Sequence, residues 1–138
     1  MFNYAMVINP TWQKIKVKKI PPKDLANRMR NENFFILDVR PLNFSKNASF
    51  IEGSVLCPLV FLGAQYREIP KGQCIVITDW AMKQSPVAAK FLIAKGYQVV
   101  GVLKGGIERW ESEKLPVEGR KPLTKLTPLS SRHEDTTH

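Results

Sequence analysis

Residues 74–89, CIVITDWAMKQSPVAA, lay out a place for chemistry and put an unexpected side chain at its centre. The apolar run 74–77 leads into a short loop, and Ser85-Pro86 then opens a helical pattern. A strand that turns straight into a helix aims several backbone N–H groups, and the positive end of the helix dipole, at the middle of the loop. That geometry cradles an anion. Such a cradle commonly holds a nucleophile, usually a cysteine whose thiolate the N–H groups stabilise. Here the first loop position is Asp79. Its carboxylate can sit where a thiolate or bound anion would, satisfying the same donors by charge-assisted hydrogen bonds. The dipole adds roughly 0.3–1 kcal/mol. Two readings stand: Asp79 is an internal anion that stabilises a loop without a nucleophile, or it is itself a nucleophile for phosphoryl or acyl transfer. No second acidic residue stands near it in sequence to hold Mg²⁺ or act as the acid.

The loop continues Trp80, Ala81, Met82, Lys83, Gln84, Ser85. Trp80 and Met82 are odd choices for a solvated turn. Either they line a recognition patch, since Trp and Met are enriched at interfaces, or they tuck back onto the domain. A second candidate position follows the apolar run FFIL at 34–37, where Asp38 and Arg40 stand at another strand end. The candidate binding set is therefore Asp38, Arg40, Trp80 and Lys83. Lys83 and Arg40 attract an anion, but Asp79 competes with that ligand for the same N–H groups.

The other chemistry-bearing residues are few. Cys57 and Cys74 each lie in an apolar stretch, which fits buried free thiols. Cys57 is the better alternative thiol, because it lies near the end of its strand. The only histidines, His133 and His138, fall in a polar tail, and no Cys/His spacing suits a metal. Neither a metal nor a cofactor is expected.

Strands and helices must position these residues, and the pattern supplies them. Pro21-Pro22-Lys23-Asp24 starts a short helix with Leu25 and Met29 on one face. Unbroken runs such as 34–37, 74–77 and 98–103 suit strands buried on both faces of a parallel sheet. A short strand is expected at 54–57 and a helix near 60–66. The helix over 86–95 is expected to turn Val87, Phe91 and Ala94 inward, with Ser85 as N-cap, Pro86 at N1 and Gly96 at C′. The last helix, 107–114, places Trp110 on the sheet. The alternation argues an α/β domain around a mostly parallel sheet of about five strands, with ligands beyond the strands' carboxyl ends.

The chain of 138 residues is one domain in size, with a soluble protein's balance of 43% hydrophobic and 24% charged residues. No apolar run approaches the roughly 20 residues that span a bilayer. The N-terminus shows no readable signal peptide, so the cytoplasm is the expected compartment. Most of the net charge of +9 falls in the first thirty residues, where Lys14, Lys16, Lys18, Lys19, Lys23, Arg28 and Arg30 face only Asp24. That arm either meets an acidic partner or forms a solvated edge strand, since Lys14, Lys16 and Lys18 alternate with Ile15 and Val17. Expected boundaries are 1–19 for the basic arm, 20–117 for the domain and 118–138 for a poorly ordered polar tail.

Three segments give the chain a family resemblance: Leu37-Asp38-Val39-Arg40 after the first strand, Phe50-Ile51-Glu52-Gly53-Ser54 before the next, and Val102-Leu103-Lys104-Gly105-Gly106-Ile107-Glu108-Arg109-Trp110 near the end. Over about residues 20 to 117 it resembles the rhodanese-like domain family, small sulfurtransferase modules. The resemblance implies a three-layer α/β sandwich. It also implies a loop in which a cysteine takes sulfane sulfur as a persulfide and passes it to a thiophilic acceptor. This sequence keeps the loop length and the Ser85 helix start. It lacks the cysteine, a small Gly within the loop and the Arg expected where Gln84 stands, and Phe50 holds a position often occupied by His. The resemblance thus implies a module whose loop 79–85 is vestigial, used for binding or regulation with a protein partner or small anion. The alternative is a sulfurtransferase working through another thiol such as Cys57. Nucleic acid is not an expected partner.

Overall fold

The unbroken apolar runs form a parallel sheet in the computed structural model of the chain, which describes residues 10–42, 49–119 and 124–125. In chain order the elements are helix α1 (Pro10–Gln13), strand β1 (Lys19–Ile20), α2 (Pro22–Arg28), β2 (Phe34–Asp38), β3 (Ser49–Phe50), β4 (Val55–Leu56) and α3 (Leu59–Gln65). A 3-10 turn (Tyr66–Glu68) follows, then β5 (Cys74–Thr78), α4 (Ser85–Ala94), β6 (Val99–Leu103), α5 (Gly106–Ser112), β7 (Glu118–Gly119) and β8 (Thr124–Lys125). The sheet runs β1-β6-β5-β2-β4-β8 with every neighbour pair parallel. β3 and β7 form a separate antiparallel pair.

Alternation along the central strands divides the core into two layers. Leu37, Ile75 and Ile77 join α1, α3 and α4 on one face through Trp12, Leu62, Ala88, Ala89, Phe91 and Leu92. Ile36 and Val76 point the other way and meet Leu25 of α2 with Ile107 and Trp110 of α5. This is the period-two geometry of a strand covered on both sides. Burying each such aliphatic side chain stabilises the fold by about 1.5–3 kcal/mol. β2 and β5 lie side by side from Phe34 opposite Cys74 to Asp38 opposite Thr78. Their carboxyl ends therefore emerge together, and the Val39 N–H extends the ladder by donating to the Thr78 carbonyl at 2.9 Å.

Three expectations need correction. First, α4 buries Ser85, Ala88, Ala89, Phe91 and Leu92, while Val87 is half-buried and Ala94 exposed. The helix is apolar nearly all round, so periodicity selects no face, and it approaches the sheet through its small alanines. Second, the helix begins at Ser85 with Gln84 as N-cap and no capping side chain; Pro86 is therefore one position later than expected. Third, part of the segment expected to be a poorly ordered tail is built in, since β7 pairs with β3 and β8 with β4. The remainder of that segment, with both histidines, lies outside the described residues, as do residues 1–9 of the basic arm.

The arm shows the alternation its sequence carries: Lys14, Lys16 and Lys18 are exposed, while Ile15 and Val17 pack on the core. Strand pairing is confined to Lys19–Ile20 against β6, because only there does the chain run alongside Val102 and Leu103. Ahead of it, Trp12 sets its ring edge-on to Phe91 at 5.7 Å between centroids. Among the described residues no helix is long and apolar enough to cross a membrane.

Candidate active-site loop

β5 ends at Thr78, and the chain turns through six residues before α4 begins at Ser85. Asp79 is 2% exposed and its carboxylate sits inside that turn. Oδ1 accepts from the Met82 N–H at 2.6 Å, and Oδ2 from those of Gln84 at 2.5 Å and Ser85 at 3.1 Å. The Ser85 hydroxyl adds a donor to Oδ1 at 3.3 Å. Ser85, expected as a cap, thus turns its side chain into the loop. The donors a strand-to-helix turn directs at an anion are taken up by the chain's own carboxylate, and charge-assisted bonds of this kind are the stronger class.

Backbone conformation follows the same bonds. Met82 has φ 62°, the left-handed region that side chains enter at a cost of about 1–2 kcal/mol. This is where glycine would be at ease. The bond from its N–H to Asp79 offsets that strain, and the Met82 side chain packs on the α4 side of the core.

The outer side of the loop is held by α5. Its first free N–H groups, on Ile107 and Glu108, donate to the carbonyls of Asp79 and Trp80, both at 2.9 Å. A helix start needs such acceptors. The approach is so close that a Cβ on Gly106 would lie 2.3 Å from the Trp80 oxygen and 2.6 Å from that of Asp79. Gly106 also has φ +69°. The Gly105-Gly106 pair is therefore the joint that lets α5 dock on the loop.

Asp38 and Arg40 form a buried pair beside it. The Arg40 Nη2 lies 2.6 Å from Asp38 Oδ2, its Nε donates to the same carboxylate, and both side chains are almost wholly buried. Nη2 also donates to the Ser49 carbonyl at 3.0 Å, and the Ser49 hydroxyl bonds to the Glu111 carboxylate. Two residues apart at a strand end, Asp38 and Arg40 emerge on one side, which is what allows the pairing.

A cavity of about 270 Å³ opens over the loop, lined by Arg40, Pro41, Asp79, Trp80, Ala81, Lys83 and Gln84. Of the candidate binding set, the structure thus brings together Arg40, Trp80 and Lys83. Asp38 does not line the cavity: it lies behind Arg40 with no exposed surface. Lys83 is exposed, Trp80 half-buried against the α5 side of the core. Pro41 was missed as a lining residue, although its place directly after Arg40 was the available signal.

The two thiols stand apart from the cradle. Cys57 follows β4 with no exposed surface, and burial pushes its pKa up to about 12. Cys74 opens β5, at the opposite end of that strand from Asp79, and is half-buried. Among the described residues no cluster of three or more His, Cys, Asp or Glu is placed to hold a metal.

Comparison with known proteins gives the same outline. The family profile described as "Rhodanese-like domain" matches residues 21–113. A protein of Allochromatium vinosum named sulfurtransferase is 28% identical over 103 residues, covering 73% of this chain and 94% of that relative. Among solved structures, a rhodanese-related protein from Thermoplasma volcanium superimposes with a TM-score of 0.66 at 26% identity, over 73% of this chain and 97% of that one. Reduced CoADR-RHD of Bacillus anthracis does so at 0.63 and 29% identity, over 70% of this chain but only 17% of that protein.

Proposed function

This chain belongs to the rhodanese-like domain family, and from that premise we propose that it is a binding or regulatory module that carries out no sulfur transfer at its loop. One observation carries the proposal: the Asp79 carboxylate fills the cradle and accepts the N–H groups of Met82, Gln84 and Ser85. A carboxylate has no polarisable sulfur to receive a sulfane sulfur atom. It also takes the donors that would hold an anionic sulfur donor or stabilise a persulfide. Gln84, in place of the Arg that the family pattern leads one to expect, offers no cationic bidentate grip.

Sulfur transfer through Cys57 is disfavoured on physical grounds. A thiol with a pKa of about 12 is thiolate at neutral pH on the order of one time in a hundred thousand, and the thiolate is the reactive form. We keep the cytoplasm as the proposed compartment, which two free cysteines are compatible with.

The test is thiocyanate formation from thiosulfate and cyanide by the purified protein, repeated with mercaptopyruvate as donor. No turnover above background is expected. Turnover that disappears in Cys57→Ser would overturn the proposal and move the chemistry to that thiol.

A further inference from the structure

We propose that the cavity over the loop is an anchor pocket for a neutral aromatic side chain of a partner protein, and that it does not select an anion. The inference rests on the reading of Asp79 as the permanent occupant of the cradle. The first argument is charge. Arg40 and Lys83 reach the cavity, but Arg40 is held by Asp38 at 2.6 Å, and Asp79 contributes a negative charge from the cavity floor. The two cations are matched by two carboxylates, which leaves no surplus charge for an anion to neutralise. The backbone N–H groups of Met82, Gln84 and Ser85, which would otherwise bind one, are already bonded.

The second argument is surface chemistry and size. Pro41, Trp80 and Ala81, with the methylene stems of Lys83 and Gln84, make the walls apolar. Apolar cavities of about 150 Å³ are known to take up benzene, so about 270 Å³ has room for one or two fused rings. Trp80 offers a ring edge or face to such a guest, an arrangement worth about 0.5–1.5 kcal/mol beyond area burial. A larger organic ligand would not fit within it.

The third argument decides for a protein segment over a free small molecule. Pro41 lines the cavity and the next residue, Leu42, is 45% exposed. The Leu59 N–H donates to the Val39 carbonyl at 3.2 Å, so the first turn of α3 starts beside the same strand end. That turn carries Val60 and Phe61, 58% and 43% exposed. A small molecule would leave these side chains in water. A protein segment inserting one ring would cover them as the rim around a central anchor.

The test uses the isolated chain and amide NMR titrations with indole, inorganic phosphate and thiosulfate. Indole is expected to give saturable shifts at Trp80, Ala81, Lys83 and Gln84. Phosphate and thiosulfate are expected to give none in the native protein. Ala81→Leu should weaken indole at least ten-fold while leaving the rest of the spectrum in place, and Asp79→Ala should gain saturable phosphate binding at the emptied cradle. Indole without effect, or with shifts only away from the loop, overturns this inference and leaves the non-catalytic reading intact. Phosphate or thiosulfate saturating the native Met82, Gln84 and Ser85 amides overturns this inference together with the reading of Asp79 as the permanent occupant of the cradle, while turnover in the thiocyanate assay is what overturns the non-catalytic reading.

Discussion

Asp79→Ala is expected to destabilise the fold by about 3 kcal/mol, and the size follows from what the carboxylate does. It accepts three backbone N–H groups and one hydroxyl while 2% exposed. A hydrogen bond to a charged partner contributes about 1.5–3 kcal/mol, and an unmatched buried donor costs about 1–3 kcal/mol. These contributions do not add, because the groups share one acceptor. The Ser85 hydroxyl can rotate to another partner. Water reaches the half-buried Met82 and Gln84 more readily than the fully buried Ser85. Removing the charge also returns several kcal/mol of its own desolvation. Once the bond from Met82 is gone, its left-handed backbone can relax, recovering about 1 kcal/mol of strain. The balance is near 3 kcal/mol. Urea unfolding with an m-value of about 2 kcal/mol/M would show it as a midpoint lower by about 1.5 M at unchanged slope. Asp79→Asn keeps one acceptor oxygen towards Gln84 and Ser85 but sets its NH₂ against the Met82 N–H, so about half the loss is expected. An Asp79→Ala midpoint equal to or above the native one would refute the reasoning: the carboxylate would then cost as much to bury as its bonds return.

Gly106→Ala is expected to cost about 3 kcal/mol, because its Cβ would meet the Trp80 oxygen at 2.3 Å and its backbone is left-handed; a urea midpoint within error of native would show that α5 can retreat without loosening the loop. Cys57 should resist DTNB in the folded protein at pH 8 and react only on unfolding. Its raised folded pKa of about 12 gives stability that is complete below the unfolded thiol value of about 8.5 and is lost as pH rises from there through about 12. Cys57→Ala should therefore show a flatter decline of the unfolding midpoint above pH 9, and identical slopes would contradict the burial argument.

The parts of the fold that were readable are those where one physical rule acts alone. Runs such as FFIL and CIVI could only be strands covered on both faces, so the parallel sheet and the place of Asp79 at a strand end followed. The bonds from the loop to Asp79 followed from the same geometry. Where two rules competed, the reading failed. The apolar helix α4 had several equivalent faces, and the choice of Val87 and Ala94 lost to the closer approach that Ala88 and Ala89 permit. Asp38 was offered as a binding residue because it stands at a strand end, but its spacing of two from Arg40 turned both to one side, where pairing outweighed exposure. The docking of Gly106 on the Trp80 carbonyl joins residues far apart in the chain, and no local pattern encodes a contact of that kind.

The carboxylate in the cradle also fixes the chemical history of this surface. A thiolate held by the same N–H groups would pass among thiol, persulfide, sulfenic acid and disulfide as the surroundings changed, and some of those steps do not reverse. Asp79 has none of these states. Oxidants and sulfane sulfur leave the carboxylate as it is, and the three N–H groups keep it as their acceptor. A partner docking over Trp80 and Ala81, as proposed, would therefore meet the same carboxylate at position 79 under oxidative stress as in its absence, which would make that position a constant support where a cysteine would have made it a sensor.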